Sequence, residues 1–293
     1  MAKDRIALAL HGGAGVSLHR DYTREIAHMN GLVEAARDRL HSGAAALDVA
    51  TETVAALEAS GLYVAGRGAS PNTEGRYELD ASLMDGWSTL AGAVAALEGF
   101  QSPISVARAV MERTQHVMLA GEGARLFAET ERLAGIDDPD RWFTRAGGGD
   151  EAAKRPGELS HGTVGCVVRD GEGRLAAATS TGGVFNKLPG RVGDTPLIGA
   201  GTWADRTAAV SCTGLGEFFI RVAAAVQVAL RVELARQPLA EAAEAVLAEI
   251  GRLGGDGGLI AVDAEGRIAM PFNSDGMKRA ALYPDGRIES AAF

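Results

Sequence analysis

The sequence predicts an α+β protein in which helices cover antiparallel sheets, and three observations lead there. Strand-like and helix-like segments follow in the order strands, helices, loop, strands, helices, strands, with hairpins outnumbering βαβ units. Glycine supplies 39 of 293 residues, about 13% against a usual share of roughly 7%. With nine prolines and no collagen period, that excess implies many tight turns and close backbone approaches. Hydrophobic residues at 46% and charged residues at 23% describe an ordinary globular chain, long enough to bury a sizeable core as one or two domains.

Arg5-Ile-Ala-Leu-Ala-Leu reads as a buried strand that ends in the turn His11-Gly-Gly-Ala-Gly15. Helical periodicity covers 21–42 and 44–59; in the second segment Ala45, Val49, Val54 and Leu57 share a face and Gly61 supplies a stop. After glycine-punctuated turns to Gly75, residues 77–84 and 90–97 read as paired strands around Asp85-Gly86, followed by helices at 104–115 and 120–134. From Gly135 to Gly162 no regular element is expected, and a structureless stretch of that length is usually functional or disordered. Strands return at 163–169, 174–181 and 207–212. Helices follow at 216–234 and 238–252, then a hairpin at 258–270 and a tail.

The net charge of −9, with no basic stripe, argues against nucleic acid or an anionic membrane surface and for a small-molecule or peptide partner. No run of 18 apolar residues predicts a membrane span, and the N-terminus turns glycine-rich too soon for a signal peptide, so the cytoplasm is the expected compartment. Cys166 and Cys212 sit in small apolar strand-like runs and are expected as buried thiols.

Several chemistries are missing. There is no G-x-S-x-G, no Walker A sequence and no HExxH, and Gly66-Arg-Gly68 is only a fragment of a dinucleotide fingerprint. The six histidines, His11 among them, show no metal-ligand spacing and are expected as surface or turn residues. Threonine and glycine are what concentrate: His161-Gly-Thr-Val-Gly165, Thr179-Ser-Thr-Gly-Gly183, Asn186-Lys-Leu-Pro-Gly-Arg-Val-Gly-Asp194 and Ser211-Cys-Thr-Gly-Leu-Gly216. A hydroxyl is a poor nucleophile at neutral pH without a base beside it. An α-amine, with a reference pKa near 7.7–8.0, is the simplest candidate, and a threonine owns one only if the chain is cut just before it. Gly162-Thr163 meets that need, since a flexible loop ends in glycine and the threonine opens a strand. The other reading is a β-branched residue that merely starts a strand.

These segments, with His11-Gly-Gly-Ala-Gly15 and Glu78-Leu-Asp-Ala-Ser-Leu-Met-Asp-Gly86, resemble the plant-type L-asparaginase/isoaspartyl peptidase family of N-terminal-nucleophile hydrolases over nearly the whole chain outside 135–160. The resemblance implies one four-layer αββα sandwich over residues 1–293, cut into subunits 1–162 and 163–293 that assemble as a dimer of heterodimers. It implies Thr163 as nucleophile, its freed amine as base, Thr181 as supporting hydroxyl, and Thr213 with Gly214 as oxyanion donors. The aspartyl group would lie against Arg191, Val192, Gly193, Asp194, Thr213, Gly214, Leu215 and Gly216. Guanidinium pairs with an α-carboxylate and carboxylate with an α-ammonium. No cofactor is implied for catalysis. A structural sodium ion is implied on the backbone carbonyls of Leu57, Glu58, Ser60, Tyr63, Ala65 and Arg67.

This chain departs from the pattern at Val64, where many members carry asparagine, and in the loop Ser70-Pro-Asn-Thr-Glu. Isoaspartyl dipeptides are expected to be better substrates than L-asparagine, with Arg67 attracting the leaving residue's carboxylate. Two alternatives stay open: another aspartyl amide such as glycosylasparagine, and an unprocessed chain that only binds.

Overall fold

The computed structural model describes residues 5–146 and 161–293. The first strand, β1 (Ala7–His11), leads to α1 (Thr23–His41) and α2 (Ala46–Ser60). A hairpin of β2 (Leu79–Asp85) and β3 (Ala91–Leu97) precedes α3 (Pro103–Arg113), β4 (Met118–Ala120), α4 (Gly121–Thr130) and the short α5 (Pro139–Trp142). Then come β5 (His161–Arg169), β6 (Leu175–Val184), β7 (Thr202–Ala204) and β8 (Ala208–Gly214). The chain closes with α6 (Gly216–Val222), α7 (Ala224–Glu233), α8 (Leu239–Arg252), β9 (Gly257–Asp263), β10 (Ile268–Ala269), β11 (Arg279–Leu282) and β12 (Ile288–Ala291).

Among the described residues the strands make two sheets, ordered β12-β11-β1-β5-β6-β2-β3-β4 and β10-β9-β8-β7. Every pairing is antiparallel except β3 with β4. Because successive strand residues point to opposite faces, each central strand feeds two cores. Leu8 and Leu10, Val164, Cys166 and Val168, and Ala176 and Ala178 pack under α1–α4. Val210, Cys212, Leu259 and Ala261 pack under α6–α8. Between the sheets lie Ala7, Ala9, Val167, Leu175, Ala177, Ala209, Ile260 and Val262. The molecule is therefore a four-layer αββα sandwich.

Among the larger elements, expectation and structure differ as follows. The helix expected at 216–234 is broken at Ala223, whose φ of 50° is left-handed. Just after the break, the Ala225 and Val226 N–H groups donate to the carbonyls of Ala200 and Gly199, so the start of α7 is tied to the loop ahead of β7. The expected tail is β11 and β12; β11 pairs with β1 and β12 with β11, extending the large sheet at one end. Within the stretch after Gly135, Asp138 caps α5, and Thr144 and Ala146 donate to the carbonyls of Arg67 and Gly68; residues 147–160 lie outside the described residues. Both cysteines are buried thiols. No helix among the described residues is long and apolar enough to cross a membrane.

Candidate active site

At one end of the layer between the sheets the inward side chains change from apolar to hydroxylic. Going along β5 the inward positions run Val167, Gly165, Thr163; along β6, Ala177, Thr179, Thr181; along β8, Ala209, Ser211, Thr213. The register places Thr163 opposite Thr181, Gly165 opposite Thr179, and His11 opposite Gly165.

Thr163 is buried, and its Oγ1 donates to Thr181 Oγ1 at 3.3 Å. Thr181 Oγ1 in turn donates to the Gly162 carbonyl at 2.9 Å and accepts from Gly183 N–H at 3.0 Å. The Gly162–Thr163 peptide is gripped from two sides. A Cβ on Gly162 would stand 2.6 Å from Val64 Cβ. On the other side Gly13, with φ 98°, lies so close that a Cβ there would be 3.0 Å from Gly162 Cα and 3.2 Å from Thr163 N. Glycine is required at both positions.

The same glycine turn leads to the third threonine: Ala14 N–H donates to Thr213 Oγ1 at 3.3 Å. Gly214 follows at the end of β8, where any Cβ would overlap the Asp256 carbonyl oxygen and stand 2.6 Å from the Phe219 ring. Leu215 is half-buried and Gly216 starts α6; a Cβ on Gly216 would meet Asp194 Oδ1 at 2.7 Å, so the loop after β6 and the end of β8 form one wall.

Arg191 and Asp194 do not pair with each other. Arg191 makes a two-pronged bond to Glu217, Nε to Oε1 at 2.9 Å and Nη2 to Oε2 at 2.8 Å, while Nη1 lies over Gly193. Val192 is half-buried beside it. Asp194 is buried, and its Oδ2 has no hydrogen-bond partner among the described residues. Burial pushes its carboxyl up to about 7 against the pull of a backbone N–H and Arg191. Next to Thr181 in register stands a second buried acid, Asp80, raised to about 6 by burial; Lys187, whose ammonium donates to the Glu78 carbonyl at 2.5 Å, is its largest electrostatic partner.

The turn after α2 meets the Gly162–Thr163 peptide through Val64. The Arg67 guanidinium is held elsewhere, with Nε donating to the Trp142 carbonyl at 3.1 Å and the head 5.4 Å from the Trp142 ring. Of the six carbonyls from Leu57 to Arg67, that of Leu57 accepts from Ser60 Oγ, that of Tyr63 from Ala65 N–H, that of Ala65 from Gly68 N–H, and that of Arg67 from Thr144. The Glu58 carboxylate caps α3 through Ile104 N–H at 3.0 Å and Ser102 Oγ at 2.6 Å, and burial pushes its pKa up to about 7.

Sequence reasoning missed His11 and Glu217. Far from being a surface residue, His11 is fully buried, with Nδ1 3.1 Å from the Thr163 carbonyl and Nε2 2.9 Å from Ser211 Oγ. The available signal was positional: with Ala7 and Ala9 inward on β1, period-2 alternation puts His11 inward as well. Glu217 had no comparable signal, since its partner lies 26 residues away in a loop.

A sequence profile described as asparaginase matches residues 4–291. The isoaspartyl peptidase of Salmonella typhimurium is 47% identical, over 96% of this chain and 96% of its own length. That of Escherichia coli is 45% identical over 95% of this chain and 93% of its own. A plant-type L-asparaginase from Pyrobaculum calidifontis is 42% identical over 93% and 95%. With its sandwich fold, its threonine-lined end and matches that run from one end of the chain to the other, this protein belongs to the asparaginase family.

Proposed function

We propose that this protein is an autoprocessed threonine amidohydrolase that hydrolyses isoaspartyl dipeptides and L-asparagine, releasing L-aspartate. The observation that carries it is the relay Thr163 Oγ1 to Thr181 Oγ1 to the Gly162 carbonyl. A hydroxyl nucleophile stands one residue after a carbonyl that already accepts a hydroxyl proton, which is the arrangement an N→O acyl shift needs. Thr163 Oγ attacks the Gly162 carbonyl carbon, Thr181 O–H stabilises the oxyanion, and the C–N bond breaks as the Thr163 hydroxyl proton passes to the leaving nitrogen, giving an ester and a free α-amine. Water then hydrolyses the ester, giving a Gly162 carboxylate and a Thr163 N-terminus.

In turnover the freed amine takes the Thr163 hydroxyl proton as Oγ attacks the β-amide carbonyl, and returns it to the leaving amine. A second attack, by water, releases aspartate from the ester. Thr213, whose oxygen accepts from Ala14 N–H, keeps its own proton to donate to the developing oxyanion alongside Gly214 N–H. The unpartnered Asp194 oxygen suits the substrate's α-ammonium, and the Arg191 guanidinium over Gly193 suits its α-carboxylate. Val192, Leu215 and Gly216 complete the wall.

The same proposal includes a structural sodium ion on the turn 57–67. The fit is one of donor chemistry: the turn offers backbone oxygens, each with two lone pairs, and the Glu58 carboxylate is used in capping α3. The Arg67 carbonyl, already accepting from Thr144 N–H and Oγ1, is the weakest donor of the six. A dimer of processed heterodimers in the cytoplasm, with no catalytic cofactor, completes the proposal.

Intact-mass spectrometry and N-terminal sequencing after prolonged incubation test the processing step; a chain that never yields a Thr163 N-terminus overturns it. On the processed enzyme, kcat/KM is compared for β-Asp-Leu, β-Asp-Arg and L-Asn. Dipeptides are expected to lead, because a second amino acid adds contacts usable in the transition state that ammonia lacks. L-Asn equal to every dipeptide overturns that preference.

A further inference from the structure

Beneath Thr163 runs a chain of buried polar side chains that the chemistry above does not use. His11 Nδ1 is 3.1 Å from the Thr163 carbonyl, and His11 Nε2 is 2.9 Å from Ser211 Oγ. Ser211 Oγ is 2.7 Å from Thr179 Oγ1, Thr179 Oγ1 is 2.6 Å from Thr202 Oγ1, and Thr202 Oγ1 is 2.8 Å from Ser82 Oγ. His11, Ser82, Thr179, Thr202 and Ser211 are all completely buried.

One carbonyl sets the direction of every bond. A carbonyl oxygen only accepts, so the contact to Thr163 fixes the proton on Nδ1 of the neutral imidazole. The ring is neutral: burial, and then the Lys278 charge, hold its pKa down to about 3 against the pull of the Thr163 carbonyl. Nε2 is then an acceptor, Ser211 must donate to it, Thr179 to Ser211, Thr202 to Thr179 and Ser82 to Thr202. Ser82 Oγ also lies 2.6 Å from the Thr195 carbonyl, so its single proton serves two acceptors and anchors the far end to the loop that carries Asp194.

Glycine at 165 belongs to the same arrangement. A Cβ there would overlap both Ser211 Oγ and His11 Nε2, so the His11–Ser211 bond passes over a position where no side chain fits. Gly165 was part of the motif opening β5, and this gives it a cause.

We propose that His11 is a positioning residue for Thr163: its Nδ1–H holds the Thr163 carbonyl, and the chain Ser211–Thr179–Thr202–Ser82 holds the imidazole. This deepens the function proposed above and rests on Thr163 being the nucleophile. Once the bond to Gly162 is cut, the Thr163 amine and hydroxyl hang from a chain end. The torsion that aims them is then set by where the Thr163 carbonyl points, and His11 N–H is the side-chain donor on that carbonyl. Misplacement of a reacting group by about 1 Å costs on the order of a hundredfold in rate.

The two ring nitrogens separate in the test. In His11→Asn the amide nitrogen takes the place of Nδ1; in His11→Gln the amide oxygen takes the place of Nε2, accepting from Ser211, and no donor reaches the Thr163 carbonyl. We expect kcat on the processed fraction to fall by about a hundredfold in His11→Leu and His11→Gln, with KM within about threefold of the parent. His11→Asn is expected to recover at least about tenfold over His11→Leu, and Ser211→Ala to lose about three- to tenfold in kcat. Where a variant processes slowly, the half-life of Gly162–Thr163 cleavage must follow the same order. If His11→Leu does not fold, the Asn–Gln pair and Ser211→Ala carry the test. Glutamine matching or exceeding asparagine overturns the proposal, as does a loss confined to KM. Thr163→Ala run alongside separates the two claims: an active Thr163→Ala enzyme defeats the nucleophile assignment, whereas an inactive one with no Asn–Gln difference defeats only the role of His11.

Discussion

The two ends of the layer between the sheets are built on the same strands and differ only in what stands at the inward positions. At one end Val167, Ala177, Ala209 and Val262 meet as hydrocarbon and need nothing but volume. At the other, Thr163, Thr179, Thr181, Ser211, Thr213 and His11 are as deeply buried, and each hydroxyl has to find a partner because an unpaired buried polar group costs about 1–3 kcal/mol. The apolar end is held by contact, which tolerates small shifts. The polar end is held by donor–acceptor direction, which does not. The proposed nucleophile therefore sits where position is fixed most narrowly, on strands whose other end keeps the sheets together.

The largest effect expected from breaking this contrast comes at its polar extreme. Thr163→Ala should remain a single 30.3 kDa chain on a denaturing gel and lose at least about a thousandfold in turnover, since removing a nucleophile removes the covalent route altogether. Normal folding with no activity marks the polar end as chemical; a processed, active variant would make it merely structural.

Arg191→Ala and Asp194→Asn come next. Each leaves an opposite charge on the substrate unpaired, a loss of about 2–5 kcal/mol, so kcat/KM should fall at least about thirtyfold. Asp194→Asn should also raise stability, because it removes a buried carboxylate whose Oδ2 has no partner among the described residues. The sign follows from the raised pKa: the ionised form is disfavoured in the fold, so the penalty begins above the ordinary carboxylate range and is complete above about 7. Thermal melts of the two proteins should coincide near pH 4 and diverge as pH rises to 7, by roughly 1–3 kcal/mol. Equal melts at pH 8 would mean that Asp194 bears no such cost.

A smaller effect separates Asp194 from the Thr163 amine in the pH profile. With its pKa at about 7, Asp194 is protonated below that value and offers the substrate's ammonium no charge, so kcat/KM should climb as pH rises through 7. In the enzyme–substrate complex the ammonium draws that pKa back down, and this limb should be missing from kcat. A second ascending limb, set by the Thr163 amine, should persist in both. Identical limbs in kcat and kcat/KM would mean that Asp194 does not meet the ammonium.

Much of this contrast was legible in the sequence because it is written in period-2 alternation. The threonine and glycine motifs mark the ends of β5, β6 and β8, and the αββα layering follows from helices that flank strands buried on both faces. Short elements were not legible: β4, β7, β11 and β12 have three or four residues each, too few for a pattern, and take their conformation from the sheets they join. Ala223, which breaks the helix expected at 216–234, carries no glycine or proline to announce the break. The chain His11–Ser211–Thr179–Thr202–Ser82 was invisible for another reason. Its members are up to 200 residues apart, and only strand pairing brings them together.

The smallest effect belongs at the boundary between the two ends. Ile260 is fully buried between the sheets and stands opposite Ser211 in the β8–β9 register, so it is an apolar neighbour of the hydroxyl chain. Ile260→Val removes one methylene from that hydrocarbon and breaks no polar contact. A loss of about 0.5–1.5 kcal/mol in stability is expected, as for other buried Ile→Val changes. If the apolar end acts only through volume, kcat on the processed enzyme should stay within about twofold of the parent, because donor–acceptor direction around Thr163 is untouched. Ser211→Ala, on the facing residue, should lower kcat measurably with little change in packing volume. Should Ile260→Val instead lower kcat by about tenfold while the melt hardly moves, the hydrocarbon end also aims the nucleophile, and the division between contact and direction would have to be redrawn further along β8 and β9.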